Sequence, residues 1–465
     1  LSFFPFLTFG FSGKLPFNLQ GGSMATATLD PKTTSKTHEL LERQQKYIFP
    51  AVSKMLYYGD EPLAVSHAKN QYLWDVEGNK YLDFFGGILT VSVGHANDEV
   101  TNATIEQLKK VQHTSAVYIN EITIKVAEKI AKITPGRLQS CFFTNSGTEA
   151  NETAIMAARM YTGNTDIVAL RHAYSGRTST AMSVTAHGTW RMGGVFDGYI
   201  KHVRNPYTYR RPGSMSEAEF LDFCVAEVEE VLATVTSGKV AAFMAEPIQG
   251  VGGFIVAPKD YFKRIQPIIK AAGGVMIIDE VQTGWGRTGQ HWCGIEHWGI
   301  EPDIMVFAKS IANGGAVGCT ITTPEVAEAV QGLTLSTFGG NPVAMATTLA
   351  TIEYMEKNKV WDNAETQGSK LRSFLESEQK KYPWMGDVRG MGLMQGVEVV
   401  STDGKKTPDK NRAGAFLNAA RKRGLLIGKG GLYGNVIRIS PHLNVSSEDM
   451  TAGCELLGKA LADVA

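Results

Sequence analysis

The chain has 465 residues, 43% of them apolar, and its 46 basic and 46 acidic side chains cancel. That length predicts two closely joined domains, and the balanced charge argues against nucleic acid or an anionic membrane as partner. Five scattered cysteines (Cys141, Cys224, Cys293, Cys319 and Cys454) form no CxxC or Cys/His spacing, which predicts a reducing, cytoplasmic compartment and no metal site, and no apolar run is long enough to span a bilayer.

Residues 1–23, LSFFPFLTFGFSGKLPFNLQGGS, carry six phenylalanines and one charge, Lys14, and end in Gly-Gly-Ser directly before Met24. They read as a fused peptide ahead of a native start, either a docking peptide for a partner or an inert leftover. A secretory signal would need a basic start and a longer apolar run, and a mitochondrial presequence would need arginines. Residues 24–42 are polar and lead into a short helix. Residues 71–85, QYLWDVEGNKYLDFF, place two alternating runs around Glu77-Gly78-Asn79, a hairpin signal. His95 follows in a Gly94-His95-Ala96-Asn97-Asp98 run and is read as structural.

Residues 138–161, LQSCFFTNSGTEANETAIMAARMY, read as strand, small-residue turn and amphipathic helix. Ser146, Gly147 and Thr148 therefore sit at a helix amino end, where free amides and the helix dipole favour an anion such as phosphate, although a plain N-cap uses the same residues. Glu149 can complete a capping pair. A strand over 167–170 precedes His172-Ala173-Tyr174-Ser175-Gly176-Arg177-Thr178, and a buried strand in 240–257 ends at Glu246-Pro247.

Two further apolar runs, Val275 to Ile278 and Ile304 to Phe307, end in Asp279-Glu280 and in Ala308-Lys309. Continuous apolar strands suit a parallel sheet covered on both faces, and ligands bind at the carboxyl ends of such strands. A lysine and an aspartate presented together there suit pyridoxal 5'-phosphate: the amine forms a Schiff base with the aldehyde, and the carboxylate holds the protonated pyridine nitrogen. Beyond Pro342 come a long helical stretch, a glycine-punctuated strand at 388–394, the run Asn435-Val436-Ile437-Arg438-Ile439-Ser440-Pro441, and a final helix over 449–464.

The runs IIDEVQTGWGRTG, PDIMVFAK and NGG together resemble the signature of the class III aminotransferases, and the TVSVGH run is similar to the alanine:glyoxylate and omega-amino acid:pyruvate branch. The resemblance implies an α/β fold of type I: a large domain with a mostly parallel sheet flanked by helices, plus a small α+β domain. It divides the chain into 24–85 (amino-terminal part of the small domain), 86–342 (large domain) and 343–465 (carboxyl-terminal small domain). By resemblance, Ser146, Gly147 and Thr148 of NSGTEANE hold the cofactor phosphate, Tyr174 stacks on the ring, Glu246 lies beside it, and Gln282 meets its phenolic oxygen. Thr337 of TFGGNP reaches the phosphate of the neighbouring subunit, which implies a homodimer with a shared active site, or a tetramer of such dimers. Arg438 binds the substrate α-carboxylate, Arg177 stands where a distal carboxylate can dock, and Tyr57, Tyr58 and Ile88 wall the substrate pocket.

The expected activity is transamination in two half reactions, from an amino acid or ω-amino donor to a small keto acid such as pyruvate or glyoxylate. Lys309 is the covalent anchor and then the general acid/base, and Asp279 keeps the ring cationic. Ornithine and γ-aminobutyrate aminotransferases carry a Glu where this chain has Val251, so Arg438 is expected to stay available in both half reactions. The alternatives are another class III enzyme (a 4-aminobutyrate/2-oxoglutarate transaminase, mutase or racemase), a nucleotide-binding α/β protein, and a noncatalytic assembly protein driven by residues 1–23. The absence of GxGxxG after an early strand speaks against a dinucleotide.

Overall fold

The computed structural model describes residues 35–58, 62–193 and 196–465. The peptide reading of residues 1–23 lies outside them. Ser35 caps the first helix, Lys36–Tyr47, by accepting from the His38 amide. Strands β1 (Val65–Lys69), β2 (Tyr72–Asp75) and β3 (Lys80–Asp83) form an antiparallel meander. The turn between β2 and β3 is the expected one: Gly78 has φ +89, and the Asp75 carboxylate accepts from the amides of Glu77 and Asn79.

The central sheet is built from β4 (Ser140–Thr144), β5 (Ile167–Leu170), β6 (Ile200–Val203) and β7 (Ala242–Ala245). A short hairpin, β8 (Ile248–Gln249) and β9 (Ile255–Val256), intervenes before β10 (Val275–Asp279), β11 (Ile304–Phe307) and β12 (Gly318–Thr322) complete it. Its order is β4-β12-β11-β10-β7-β5-β6, and β12 alone runs against its neighbours. Alternate residues serve opposite faces. Met276, Ile278, Met305 and Phe307 join one core, while Val275, Ile277, Ile304 and Val306 join the other. Each such side chain removed from water contributes about 1.5–3 kcal/mol, so both faces must be covered, and strands buried on both sides read as unbroken apolar runs.

The helix Gly147–Thr162 covers one face with Ala150, Ala154, Ala157 and Ala158, whose small side chains let it lie close to the sheet. Because β4 and β11 both run opposite to β12, the carboxyl ends of β4, β5, β7, β10 and β11 all emerge at one edge. That edge is where the site forms.

After the helices Pro342–Lys357 and Val360–Gln379 comes a second, antiparallel sheet. It contains β13 (Met385–Met391) and β14 (Met394–Val399), and after β15 (Leu425–Leu426) it adds β16 (Gly428–Gly430) and β17 (Val436–Ile439), in the order β13-β14-β17-β16. Strand β15 pairs instead with β3 in parallel, which ties the two ends of the chain together. The Asp83 carboxylate reinforces the tie. One oxygen accepts from the amides of Phe85 and Gly86, and the other lies 2.9 Å from His95 Nε2 and 3.5 Å from His442 Nε2. Burial acts to raise its pKa, but the hydrogen bonds and charges of the two imidazoles prevail and hold it well below the usual carboxylate range.

These three groups have the make-up of a metal site. The buried Arg287 beside His442 already supplies positive charge there, and we read the trio as a clasp in which His95 hydrogen-bonds Asp83 and His442 packs against both.

Candidate active site

Five strand ends enclose a cavity of about 350 Å³. From β4 comes the turn Asn145 to Thr148, from β5 Tyr174, from β7 Glu246, from β10 Asp279 and Gln282, and from β11 Ala308 and Lys309. Eight of the nine expected cofactor-binding residues thus line one space: Ser146, Gly147, Thr148, Tyr174, Glu246, Asp279, Gln282 and Lys309. The ninth, Thr337, lies on an exposed loop and faces a separate cleft with Ser336 and Phe338.

Ser146 is the N-cap of the helix Gly147–Thr162 and accepts from the Glu149 amide, while Glu149 accepts from the Asn145 amide at 2.7 Å. The amides of Gly147 and Thr148 belong to the first turn, which has no intrahelical acceptor, so this end of the cavity offers donors to an anion. A Cβ on Gly147 would lie 3.2 Å from the Val281 side chain, a tight fit that keeps the helix end against the strand ends.

Asp279 is buried. Asn151 Nδ2 donates to its Oδ2 at 2.9 Å, and the Val281 amide donates to Oδ1 at 3.0 Å. Burial raises its pKa, and the donors together with the Lys309 charge oppose the rise. Glu246 accepts from the amides of Tyr174 and Gly250 at 3.1 and 2.8 Å, yet burial and the neighbouring Asp279 charge push it up to about 8. Lys309 sits deep between the strands but keeps part of its surface open to the cavity, and loss of water lowers its pKa against the pull of both carboxylates.

The Lys309 backbone has φ +45, an uncommon conformation for a residue with a Cβ. Packing holds it there. Ser310 Oγ donates to the Leu89 carbonyl, and Asn313 Oδ1 accepts from the amides of Ser92 and Val93. The lysine turn is thereby fastened to residues 86–89, all four of which also have positive φ.

A second cavity, about 510 Å³ and mostly apolar, meets the first at Tyr174, Gln282 and Lys309. Ile88, Val251 and Arg438 line it as expected. The Arg438 guanidinium is 4% exposed, lies near the rings of Phe85 and Phe254, and donates to the carbonyls of Gly250 and Lys429 at 3.3 and 3.1 Å. Its Nε has no protein partner. A Cβ on Gly430 would fall 2.8 Å from that atom, so glycine leaves it room.

Two expected substrate-binding residues, one wall and one docking arginine, lie elsewhere. Tyr58, at φ +75, turns away and packs edge-on to Tyr57 with Arg421 over its ring, and it is Tyr57 that lines the cavity, its hydroxyl donating to the Lys429 carbonyl. Arg177 is exposed and lines neither cavity. The sequence reading passed over Asn151, Asn313, His187 and Trp190, the last edge-on to Tyr174 at 5.3 Å. Asn151 alone left a signal: a polar residue on the buried face of an otherwise apolar helix stripe.

The first cavity fits a flat ring with an anionic arm. Donors stand at one end, a buried carboxylate supplies an anion within, an aromatic side chain forms a wall, and an amine opens onto the middle. Gln282 Oε1 is buried without a protein partner, and Gly250 makes space for that amide, since a Cβ there would lie 2.2 Å from it. The helix-end donors, the unpartnered amide and the Asp/Lys pair are what pyridoxal phosphate requires.

The profile of the family described as Aminotransferase class-III matches residues 57–461. The chain is 39% identical to alanine--glyoxylate aminotransferase 2 homolog 2, mitochondrial, of Arabidopsis thaliana, over 91% of this chain and 87% of that protein. It is 34% identical to the leucine/methionine racemase of Thermococcus litoralis, over 92% and 96% of the two chains. Among solved structures, it is similar to an amine transaminase from an uncultivated Pseudomonas species in its PLP-bound form, with TM-score 0.82, 27% identity and coverage of 94% and 99%.

Proposed function

The chain belongs to the class III aminotransferases, enzymes that use pyridoxal phosphate to transfer amino groups, and we propose that it passes the amino group of an amino acid or ω-amino donor to a small keto acid such as pyruvate or glyoxylate. The observation that carries this reading is the meeting of the two cavities at Lys309, with Asp279 behind it and Arg438 beyond it. The cofactor supplies an electron sink that stabilises negative charge on the amine-bearing carbon.

In this reading the amides of Gly147 and Thr148, with the side chains of Ser146 and Thr148, hold the phosphate. Tyr174 would stack on the ring, Gln282 would meet its phenolic oxygen, and Lys309 would be the point of attachment. Asp279 keeps the proton on the pyridine nitrogen, a task favoured by the Asn151 and Val281 donors, which steady the carboxylate as an anion once a cation lies against it. Glu246, held by two amides, borders the ring. Burial favours the neutral amine of Lys309, whose Nζ can take a proton from the substrate carbon and return it on the cofactor side. Arg438 binds the carboxylate of the keto acid. Its guanidinium is already fixed by two carbonyls, so little order has to be bought on binding.

We further read the protein as a homodimer whose Thr337 completes the phosphate site of the other subunit. Support comes from the exposed apolar side chains of Tyr118, Ile119, Leu335 and Phe338, the last two flanking Thr337. The five free cysteines fit a reducing compartment, the cytoplasm in our reading. Among the described residues no helix is long and apolar enough to cross a membrane.

A second reading, amino-acid racemisation, is favoured by the racemase relative alone. One experiment separates the two. Purified protein loaded with pyridoxal phosphate should show a visible absorption band that an amino donor bleaches and pyruvate or glyoxylate restores. Racemisation of a single amino acid with no keto-acid requirement would reject transamination.

A further inference from the structure

Resting on the transaminase reading above, we propose that Lys429 and Lys410 form a distal anion site, which reads the acid group of an ω-amino donor at the far end of its methylene chain from the amine. Both lysines line the 510 Å³ cavity that begins at Lys309. No carboxylate among the described residues lines it, and neither ammonium is ion-paired with one. Lys429 is half-buried, and burial together with the nearby charge of the exposed Lys410 lowers its pKa, so two like charges border one cavity with no counterion among the described residues. A bound carboxylate would relieve that repulsion and gain charge-assisted hydrogen bonds.

Lys410 is exposed at the cavity mouth, whereas Lys429 stands on fixed backbone. The Lys429 backbone is fixed from two sides, its carbonyl accepting from both Tyr57 Oη and Arg438 Nη2. Strand β16 also pairs with β17, so Lys429 stands beside the Arg438 strand. Lys410 opens the helix Lys410–Lys422, whose N-cap Asp409 is turned to its own helix, accepting from the Arg412 amide and lying 3.7 Å from the Arg412 guanidinium.

Tyr57, Ile88, Trp190, Val251 and Leu432 give the same cavity an apolar wall. Such a wall suits methylene groups, and the cavity is far larger than pyruvate needs. Arg177, the residue expected to dock a distal carboxylate, lines neither cavity. The two carboxylates of a full cycle then have separate partners. The keto acid uses Arg438, and the donor's far end uses Lys429 and Lys410.

The test compares 5-aminopentanoate with pentylamine, two donors that differ only in the distal carboxylate, with pyruvate as acceptor in wild type, Lys429→Gln, Lys410→Gln/Lys429→Gln and Lys429→Arg. The readout is the ratio of kcat/KM for the acid over the amine. The ratio should fall by about tenfold in the double variant, through KM more than kcat, and recover in Lys429→Arg. Added salt should lower the wild-type ratio and leave that of the double variant nearly level. A ratio unchanged within the error of measurement in the double variant overturns the lysine site while leaving the transaminase reading intact. Absence of turnover with every donor, pyruvate present, overturns both.

Discussion

The two cavities that meet at Lys309 are built in different ways. The cofactor cavity draws its residues from the carboxyl ends of strands in one sheet, and each arrives with a short contiguous run: Asn145 to Thr148, Tyr174, Glu246, Asp279 to Gln282, Ala308-Lys309. The substrate cavity gathers Tyr57, Ile88, Trp190, Val251, Lys410, Lys429 and Arg438, which belong to separate loops and to a different sheet. A reaction centre that needs given groups at given strand ends keeps its pattern in the sequence. A pocket wall needs only shape and polarity, and those are settled by packing between distant segments.

The largest effect should come from the cofactor side. Asp279→Asn preserves size but cannot carry the negative charge that holds a proton on the ring nitrogen, and kcat should fall by about a hundredfold or more. Cofactor binding should survive. Single-turnover kinetics with an amino donor will read the loss, and a rate near wild type would remove Asp279 from that role.

On the substrate side the loss should be smaller and confined to affinity. Arg438→Ala should raise KM for pyruvate or glyoxylate by about tenfold to a hundredfold and leave a carboxylate-free amine donor less affected. Steady-state kinetics with both substrates varied will show it. An equal loss for acid and amine would mean that the arginine supports the pocket rather than reading the carboxylate.

The smallest effect is one of pH. Glu246 is pushed up to about 8 in the folded protein from an ordinary value near 4.5. Between those values the unfolded chain has released a proton that the folded chain keeps, so this group's contribution to the stability of the cofactor-free protein falls as pH rises. Glu246→Gln should flatten that slope between pH 5 and pH 8, as followed by chemical denaturation. Lys309, whose pKa burial lowers, acts with the opposite sign towards the lysine range and is common to both proteins. An unchanged slope would show that Glu246 is already charged at the lower pH.

The strands of the central sheet were legible because burial on both faces leaves unbroken apolar runs, and Asp279 and Lys309 were legible because a charge ends each run. The antiparallel β12 left no such mark; its five buried residues read like those of a parallel neighbour. Tyr57 and Tyr58 could not be told apart, since only the positive φ at Tyr58 decides which ring faces the cavity. Lys410 and Lys429 were silent for a similar reason: a single lysine near a strand or helix end is ordinary until the tertiary fold brings two to one mouth. Asn313 showed only as part of NGG, and its work of tying the lysine turn to Ser92 and Val93 depends on a loop some two hundred positions earlier in the chain.

The claim that everything else depends on is that Lys309 is where the cofactor is attached. Borohydride reduction of the loaded enzyme, followed by peptide mass spectrometry, tests it directly. The account predicts one cofactor-derived adduct, on the peptide containing Lys309, and none in Lys309→Ala, which should still fold and bind cofactor weakly. A reduced adduct on another lysine in the wild type, or one retained in Lys309→Ala, would contradict it.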